Sequence, residues 1–399
     1  MMSACSSRAH TAVKVDQRYG GPVVWVKDAS RSVPVVAALL SESGREQLMS
    51  EVTADFESIR ARHAAKQSDR PLLTLEAARA NRTPIDWGEG AVPPSPAVPG
   101  RTVLKDYPLA EIVEYFDWQP FFNAWEMKGS FPDILNNPST GEAARKLYDD
   151  AQEMLRRIID EKWLQANGVI GLFPANAVDD SIEIYTDDSR TEVRETLHML
   201  RQQGQHRQGI PNRSLADFVA PKESGLADHV GAFAVTGGLG AQDRIAAFKA
   251  EHDDYSAILL EALADRFAEG FAELLHEKVR REYWGYSPDE DLDNRALIKE
   301  EYQGIRPAPG YPANPEHTEK ETLWRLLDVD EIGIKLTDRM AMWPGAAVSG
   351  FYFGHPQSQY FVVGRLGRDQ VEDYAERKGW TLKEAEGWLA SNLGYHPED

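Results

Sequence analysis

Cysteine is nearly absent from this 399-residue sequence, and its one thiol, at Cys5, cannot form an intramolecular disulfide or a multi-cysteine zinc site. The 10 histidines include no His-Glu-x-x-His and no pair at helical ligand spacing, which argues against a dedicated transition-metal site. We therefore expect that any metal arrives inside a cofactor.

Positive charge and long apolar runs are also scarce. The 44 Lys and Arg residues are outnumbered by 64 Asp and Glu residues, and the net charge of −20 repels a phosphate backbone. Apolar runs such as Val35–Leu40 are far shorter than a bilayer span, and the N-terminus lacks an apolar secretory segment. We predict a cytoplasmic protein that binds neither nucleic acid nor membranes.

The pattern of apolar residues and prolines predicts three regions. Residues 1–66 read as a short α/β piece, with a strand at Val23–Val26 and helices through Val35–Leu40 and Glu51–Arg62. Successive prolines in Val92–Gly100 interrupt any regular element, which places a linker at residues 67–100. Residues 101–399 then form the main domain.

Within the main domain, helices and strands do not alternate one to one, as repeated βαβ units would require. We therefore predict an α+β fold with a mainly antiparallel, twisted sheet and flanking helices. The predicted helices are 141–165, 190–203, 241–250, 256–282, 319–328, 368–378 and 382–390. The predicted strands are 168–173, 181–186, 216–220, 230–236, 333–337, 347–353 and 359–364, the last two forming an aromatic hairpin.

Familiar catalytic loops are missing. Gly237–Gly240 follows a predicted strand and precedes a predicted helix, where a phosphate loop would lie, but it lacks both Gly-x-Gly-x-x-Gly and the Walker spacing. A plain strand-to-helix turn is the favoured interpretation, with a phosphate cradle as the alternative. No Gly-x-Ser-x-Gly elbow occurs, which excludes the usual covalent hydrolase arrangement.

The segment Gly304–Pro312 combines three prolines and two glycines, which fix a sharply turned backbone around Arg306 and its planar five-donor guanidinium. Such a loop can present backbone groups to a ligand, although a rigid surface connection has the same composition. Asp265, Glu269 and Glu273 recur every four residues on a predicted helix, where a solvated face is the commoner explanation.

Two aromatic segments complete the candidate site. The predicted hairpin, containing Phe351–Phe353 and Tyr360-Phe361, could stack a purine or lie near a sulfonium, because aromatic rings attract cations. Asp117 stands at the head of a second cluster that runs to Trp125. For both segments, packing in the core is the alternative interpretation.

These residues resemble a known family, the activation domain of cobalamin-dependent methionine synthase. Arg306–Pro312 followed by Pro315–Lys320 is similar to the family's Arg-x-x-x-Gly-Tyr motif for S-adenosyl-L-methionine. Five further blocks resemble the family in the same order: Asp117–Phe122, Gly171–Asn176, Ala216–Lys222, Tyr283–Tyr286 and Met342–Ala346.

The early part of the chain resembles the last strand and helix of the family's cobalamin domain, through His10–Val15, Asp28–Arg31 and Val35–Leu40. No Asp-x-His-x-x-Gly occurs in the sequence, so the resemblance implies that the histidine ligand of cobalt comes from another domain or chain. We accordingly expect a split synthase subunit or the C-terminal module of a longer enzyme.

The resemblance also implies a function in methionine biosynthesis: holding S-adenosylmethionine for reductive methylation of cob(II)alamin, with a flavodoxin-type reductase as electron donor. Arg306 would bind the ligand carboxylate, Asp117 its polar groups, and Glu269 and Glu300 would offset its positive charges. The Pro307–Tyr311 backbone would bind the adenine and shape the pocket. The pocket would also include Ala308, Gly310, Tyr311, His317, Tyr360 and Phe361. The family often has a second tyrosine where Phe361 stands, and phenylalanine has no hydroxyl to offer a ligand.

Two other function classes stay open at this point. The chain could be a free-standing methyltransferase that uses S-adenosylmethionine, although it lacks a Rossmann-type glycine loop. It could also be a non-catalytic sensor or docking protein for a corrinoid protein. As a methionine synthase module, the isolated chain should bind S-adenosylmethionine without turning it over.

Overall fold

A computed structural model describes residues 8–16, 19, 21–26, 32–68, 71–88 and 90–397. The chain divides into two compact units, Met1–Leu72 and Leu73–Asp399. Cys5 and the segment 27–31, which enter the predictions above, lie outside the described residues. No helix in the described ranges is long and apolar enough to cross a membrane.

The named elements of the first unit are all helical. Its elements are α1 (Arg8–His10), a π-helical turn (Thr11–Val15), α2 (Ser32–Leu39) and α3 (Glu42–Ser68). Arg60 on α3 donates to the Asp16 carboxylate at 2.7 Å and to the Ala12 carbonyl at 3.2 Å, which ties α3 to the N-terminal turn. The predicted strand at Val23–Val26 is not formed: these residues have no strand assignment, and the described part of this unit contains no named strand beside them.

The second unit contains eight strands among its described residues. They are β1 (Gly100–Tyr107), β2 (Gln165–Val178), β3 (Ser181–Tyr185), β4 (Val193–His198), β5 (Asp228–Leu239), β6 (Lys335–Leu336), β7 (Met342–Trp343) and β8 (Ala347–Tyr352). Its helices are α4 (Leu75–Ala80), α5 (Leu109–Val113), α6 (Gln119–Ala124), α7 (Gly141–Asp160), α8 (Ala241–Ala250), α9 (Asp254–Lys278), α10 (Asn294–Ile298), α11 (Glu319–Leu327), α12 (Arg368–Lys378) and α13 (Leu382–Trp388).

The main sheet is built around the long strand β2. One edge of β2 pairs with β5, and the other edge pairs first with β1 and then with β3, so two short strands follow one another along it. The order β4-β3-β2-β5-β8 makes β8 an edge strand, in register with β5 at Ala234 and Ser349. Every pairing between these named strands is antiparallel, which confirms the predicted fold class.

Helices cover both faces of the sheet, so its central strands are apolar on both sides. Phe267 and Phe271 of α9 pack on one face, in a core shared with α5 to α8. Leu323 and Leu327 of α11 pack on the other face. One face of the edge strand β8 is therefore directed toward α9 and the other toward α11.

Gly237 is a packing residue rather than part of a phosphate loop. It lies inside β5, and a Cβ at this position would lie 2.4 Å from Phe267 Cβ and 2.8 Å from the Ala268 nitrogen. The missing side chain thus lets α9 approach the sheet closely. This agrees with the plain strand-to-helix interpretation of Gly237–Gly240.

Three predicted elements of the main domain are wrong. The segment 190–203, predicted as a helix, forms β4, because its pairing with β3 at Ile182↔Leu197 overrides local helix preference. The segment 216–220 is a helical turn, Leu215–Phe218, which Ser214 caps in a capping box. The segment 359–364 forms no strand, so the predicted aromatic hairpin does not exist.

Part of the predicted linker packs on the second unit. Leu75 and Ala78 of α4 are buried. Further along, the indole nitrogen of Trp284 donates to the Pro94 carbonyl at 2.9 Å, and the Val98 nitrogen donates to the Tyr283 carbonyl at 2.8 Å. The proline-rich run is therefore fixed by hydrogen bonds to its carbonyl and amide groups even though it lacks a regular element.

Candidate functional site

The segment Gly304–Pro312, called here the proline loop, begins as an extension of the sheet. Ile305 and Phe353 exchange two backbone hydrogen bonds of 3.1 and 3.0 Å, and the Phe351 nitrogen donates to the Pro307 carbonyl at 2.9 Å. The loop then turns away from β8, with the Tyr311 nitrogen donating to the Ala308 carbonyl at 3.2 Å. The edge of the sheet thereby fixes where the loop stands.

Gly310 fits its place in the loop because it has no side chain. Its φ of +93° belongs to the left-handed region, and a Cβ here would lie 2.3 Å from His317 Cε1. Its nitrogen also donates to the Asn314 carbonyl at 2.7 Å. The His317 ring therefore packs directly against the backbone of the loop at Gly310.

A cavity of about 510 Å³ opens beside the proline loop, within the range usual for small-molecule sites. We call it the loop cavity. Its wall includes seven of the predicted site residues: Glu269, Glu300, Arg306, Ala308, Tyr311, Tyr360 and Phe361. Much of the remaining wall is apolar, with Phe233, Met342 and Val348 among its residues.

A second cavity of about 330 Å³, called here the acidic cavity, shares Glu269, Glu300 and Arg306 with the first. Asp117 lies in its wall, together with Glu273. Asp117 thus shares a cavity wall with Glu269, Glu300 and Arg306, but it does not line the loop cavity. Gly310 and His317 are in neither wall and act through the shape of the loop.

Arg306 is held by an ion pair that the sequence analysis did not predict. Its terminal nitrogens donate to the two Glu273 oxygens at 3.1 and 2.5 Å. One of them also donates to the Tyr302 hydroxyl at 2.7 Å and to His276 Nδ1 at 3.1 Å. Burial opposes the charge of the guanidinium, but the Glu273 carboxylate raises the pKa of Arg306 above its ordinary value.

His276 takes part as a neutral acceptor. Complete burial, reinforced by the charges of Arg280 and Arg306, lowers the pKa of His276 well below its ordinary value. Because arginine has only donors, Nδ1 accepts from Arg306 and the ring proton lies on Nε2. The imidazole stacks on Tyr352, with ring centroids 5.1 Å apart. These contacts leave the guanidinium little freedom to turn.

Glu273, Tyr302 and His276 show what sequence reasoning missed. Glu273 is the third member of the acidic row on α9, and its side chain is 10% exposed. Asp265 and Glu269 of the same row are exposed. The four-residue spacing places all three on one side of a helix, but it does not reveal that the row runs from solvent into the core.

The segment after β8 reaches the loop without forming a strand. The backbone nitrogen of Val363 donates to the Pro312 carbonyl at 2.8 Å, and the backbone nitrogen of Arg306 donates to the Tyr360 hydroxyl at 3.0 Å. Phe361 lies against Phe218, with ring centroids 6.5 Å apart. Tyr360 and Phe361 thus reach the cavity wall as predicted, although by a different backbone path.

The aromatic cluster after Asp117 belongs to the core. Trp118, Phe121 and Phe122 are buried and pack edge to face. Asp117 accepts a hydrogen bond of 2.9 Å from the Gln119 nitrogen, at the start of α6. Its carboxylate is consequently fixed at the wall of the acidic cavity.

No group of three or more potential metal ligands occurs among the residues that the structure describes. Arg306, Glu269 and Glu300 line both cavities. Lys320 adds a second cation to the loop cavity and Arg266 a second cation to the acidic cavity, and much of the remaining wall of the loop cavity is apolar.

Two comparisons with known proteins bear on this site. The family model for "Vitamin B12 dependent methionine synthase, activation domain" matches residues 108–379. A crystal structure of the MetH reactivation domain bound to AdoHcy is 54% identical to this chain, with a TM-score of 0.80. That match covers 82% of this chain and 100% of the other.

Proposed function

Because the chain belongs to the activation-domain family of vitamin B12 dependent methionine synthase, we propose that its loop cavity binds S-adenosylmethionine for reductive methylation of cobalamin. The observation that carries this proposal is the convergence of Arg306, Glu269 and Glu300 beside an apolar wall. We also propose that residues 1–66 derive from a cobalamin-binding domain, that 67–100 connect, and that 101–399 are the activation domain.

The charges of the ligand match those of the site. S-adenosylmethionine carries a carboxylate, an ammonium and a sulfonium at one end and a neutral adenine at the other. Arg306 supplies the cation for the carboxylate, while Glu269 and Glu300 offset the two positive groups. Asp117, across the acidic cavity, is placed to accept from the ammonium.

The ion pair with Glu273 leaves part of Arg306 for a ligand. Glu273 takes the end of the guanidinium formed by its two terminal nitrogens. No residue in the described part of the chain accepts from Nε, and the terminal nitrogen next to it donates only to Glu273. Arginine can bind a carboxylate through that second edge as well. Glu273 therefore fixes the angle at which Arg306 meets the ligand.

The proline loop supplies the other contacts. Ala308 and Tyr311 line the cavity, and Tyr311 is 63% exposed at its mouth. Tyr360 lines the cavity, and its hydroxyl accepts a hydrogen bond from the backbone nitrogen of Arg306. This bond anchors the tyrosine ring to the loop. Phe361 offers a ring face but no hydroxyl. These groups bind and orient the ligand and exclude water from one of its faces.

Cobalamin would be held by a cobalamin-binding domain or subunit, and the electron would come from a flavodoxin-type reductase. Bound cobalamin supplies the methyl-accepting cobalt centre. The residues described here position the methyl donor and contribute no nucleophile or general base. On its own, the chain should bind S-adenosylmethionine and turn nothing over.

Calorimetric titration of the chain with S-adenosylmethionine, S-adenosylhomocysteine and ATP tests the proposal. The first two should bind, and ATP, which lacks the amino-acid end, should not. At a hundred times its dissociation constant, a ligand adds about 2.7 kcal/mol to the free energy of unfolding, so the melting temperature should rise. Glu300→Gln should weaken binding of S-adenosylmethionine.

Glu301→Gln is the matched control, since this exposed neighbour lies in neither cavity wall. If neither S-adenosylmethionine nor S-adenosylhomocysteine bound at millimolar concentration, the proposal would be contradicted. Adding a cobalamin-binding chain then separates two roles. With an electron donor present, formation of methylcobalamin from S-adenosylmethionine that depends on both chains supports reactivation, whereas complex formation without it would indicate a docking protein.

A further inference from the structure

Arg280 is a buried cation that lines neither the loop cavity nor the acidic cavity. It lies on the π-helical turn Val279–Tyr283, which continues α9, and its side chain is completely buried. Nε and one terminal nitrogen donate to the Glu290 carboxylate at 2.6 to 3.0 Å. The other terminal nitrogen is buried and has no hydrogen-bond partner among the described residues. Because burying an ion pair gains little stability, the position of Arg280 needs a further explanation.

Arg280 lies against the tyrosine that holds Arg306. Its guanidinium carbon is 4.0 Å from the centre of the Tyr302 ring, which is typical of a cation–π contact. The hydroxyl of the same ring accepts from Arg306 at 2.7 Å. The His276 imidazole meets this ring at an angle of 83°, with centroids 4.9 Å apart. Arg280 and His276 together therefore limit the movement of the ring that carries the hydroxyl.

Arg280 also acts on His276, which stands four residues earlier on α9. Residues at this spacing lie close together along a helix. The rings of Tyr302 and Tyr352 pack against His276, and the two charged groups that act on it are both cations, Arg280 and Arg306. Burial lowers the pKa of His276 most, and the charge of Arg280 adds more to this effect than the charge of Arg306.

The contact between Arg306 and His276 requires a neutral imidazole. The terminal nitrogen of Arg306 lies 3.1 Å from Nδ1, and arginine has only donors, so Nδ1 must offer a lone pair. A proton on Nδ1 would leave two donors facing each other and would place one positive charge beside another. Arg306 would then turn away from His276, and its free edge would no longer keep the angle that Glu273 sets.

We propose that Arg280 is a positioning residue for Arg306: its planar face holds the Tyr302 ring, and its charge keeps a second proton off His276. This inference rests on the proposed function of the loop cavity, since it concerns the arginine that binds the ligand carboxylate there. Arg280 acts through its two neighbours and lies outside both cavity walls. Affinity for the ligand should therefore not depend on the ionisation of His276 at neutral and mildly acidic pH.

The test measures the affinity for S-adenosylhomocysteine by calorimetric titration from about pH 8 to about pH 5.5, the range in which histidines usually titrate. The main variant is Arg280→Met with Glu290→Gln, which removes both members of the buried pair and leaves no unpaired charge. At about pH 8 it should bind about three- to tenfold more weakly than the wild type, because the Tyr302 ring loses its cation. Toward lower pH the loss should grow by up to about tenfold per pH unit, as His276 takes up a proton.

Three controls separate the two effects of Arg280. Glu290→Gln alone keeps the cation, so its pH profile should match that of the wild type. Adding His276→Asn to the main variant keeps an acceptor near the Nδ1 position that cannot be protonated, so the extra loss at low pH should disappear. Arg281→Met removes the same charge from an exposed neighbour, and its profile should also match the wild type. Glu300, whose pKa burial raises, is present in every protein, so the profiles are compared with one another.

Nuclear magnetic resonance of protein with isotope-labelled histidine observes the His276 ring directly, and His276→Asn assigns its signals. In the wild type, Nδ1 should stay unprotonated across the whole pH range. In the main variant it should gain a proton as the pH falls. A wild-type chain that carries a proton on Nδ1 at neutral pH would overturn the inference.

Equal affinities and equal pH profiles for the main variant and Glu290→Gln would also overturn it. Failure of the wild-type chain to bind S-adenosylhomocysteine at any pH would instead overturn the proposed function. If the main variant does not fold, Arg280→Lys decides together with the wild-type resonance. Lysine keeps the charge without the planar face, so Arg280→Lys should bind more weakly at every pH with an unchanged profile. Wild-type affinity in Arg280→Lys would contradict the proposed contact with Tyr302.

Discussion

Glu273 and Arg306 meet as a two-point ion pair, with the two carboxylate oxygens 3.1 and 2.5 Å from the two terminal guanidinium nitrogens. Their side chains are only 10% and 19% exposed. The pair joins α9 to the proline loop. Arg306, which we propose as a ligand contact, is therefore also part of the packing of the site.

Replacing Arg306 should affect binding and stability together. Arg306→Ala should weaken S-adenosylhomocysteine binding by about ten- to a hundredfold. The affinity of Arg306→Lys should lie between those of the wild type and Arg306→Ala, because lysine keeps the charge but lacks the planar guanidinium. From the sequence, Arg306 is a loop residue whose loss leaves the ligand-free melt unchanged. The structure changes that expectation, since Glu273 would lose its partner. Urea unfolding should show a loss of about 2–3 kcal/mol.

The cost of losing Arg306 should be smaller when Glu273 is removed too. The double variant Glu273→Ala, Arg306→Ala leaves no unpaired charge, so its destabilisation should fall short of the sum of the single variants. A coupling free energy of about 0.5–3 kcal/mol is typical of contacting residues. The four proteins of the cycle can be compared by urea unfolding. Additive effects would mean that the ion pair contributes nothing to the fold.

Gly310→Ala should disturb the proline loop more than a matched glycine change. Gly364 also has a positive φ, of 78°, but a Cβ there would meet nothing within 4 Å. Gly364→Ala should thus cost only backbone strain, about 1–2 kcal/mol. Gly310→Ala adds the collision with His317, so it should melt lower and bind S-adenosylhomocysteine more weakly. Equal effects of the two substitutions would show that the contact with His317 is unimportant.

His198 should make the fold sensitive to acid. Burial, together with the charges of Arg377 and Lys378, lowers the pKa of His198 to about 4, from an ordinary value of 6.5. Between these values the unfolded chain binds a proton that the folded chain does not, so the free energy of unfolding falls as the pH falls. His198→Gln should flatten this slope between pH 6.5 and 4 by at most about 1.4 kcal/mol per pH unit.

His252→Asn is the control for this experiment, because His252 is exposed and asparagine tolerates its positive φ of 60°. Urea unfolding at several pH values measures the slopes. Parallel curves for the wild type and His198→Gln would mean that His198 titrates alike in the folded and unfolded chains.

The purified chain should contain neither stoichiometric zinc nor tightly bound cobalamin. The sequence has one cysteine and no Asp-x-His-x-x-Gly, so it lacks the residues for either group. Metal analysis and a visible spectrum measure both. A corrin absorbance that stays with the protein through gel filtration would show that residues of this chain hold the cofactor.

The proline loop could be recognised from sequence because its chemistry is local. Prolines and glycines restrict the backbone wherever they occur, and Arg306 lies among them. The family resemblance then supplied residues from distant parts of the chain. Seven of those residues share one cavity wall, and Asp117 lies in the adjoining one. Their roles toward a ligand stay predictions.

Features that depend on tertiary partners could not be read in this way. The segment 190–203 carries helix-forming residues, but a strand beside it decides its conformation. Glu273 has the same spacing as its exposed neighbours, and only the packing of the loop shows that it is buried.

The attachment of the proline loop to β8 also bears on how molecules of this protein behave toward one another. An exposed edge strand offers unpaired amides and carbonyls to any passing strand, which is a common route to aggregation. Here Ile305 and Pro307 already occupy the edge at Phe351 and Phe353. Proline has no amide hydrogen to offer the next strand, so the sheet cannot readily grow past the loop. A segment suited to recognition thus also opposes strand addition at this edge of the sheet.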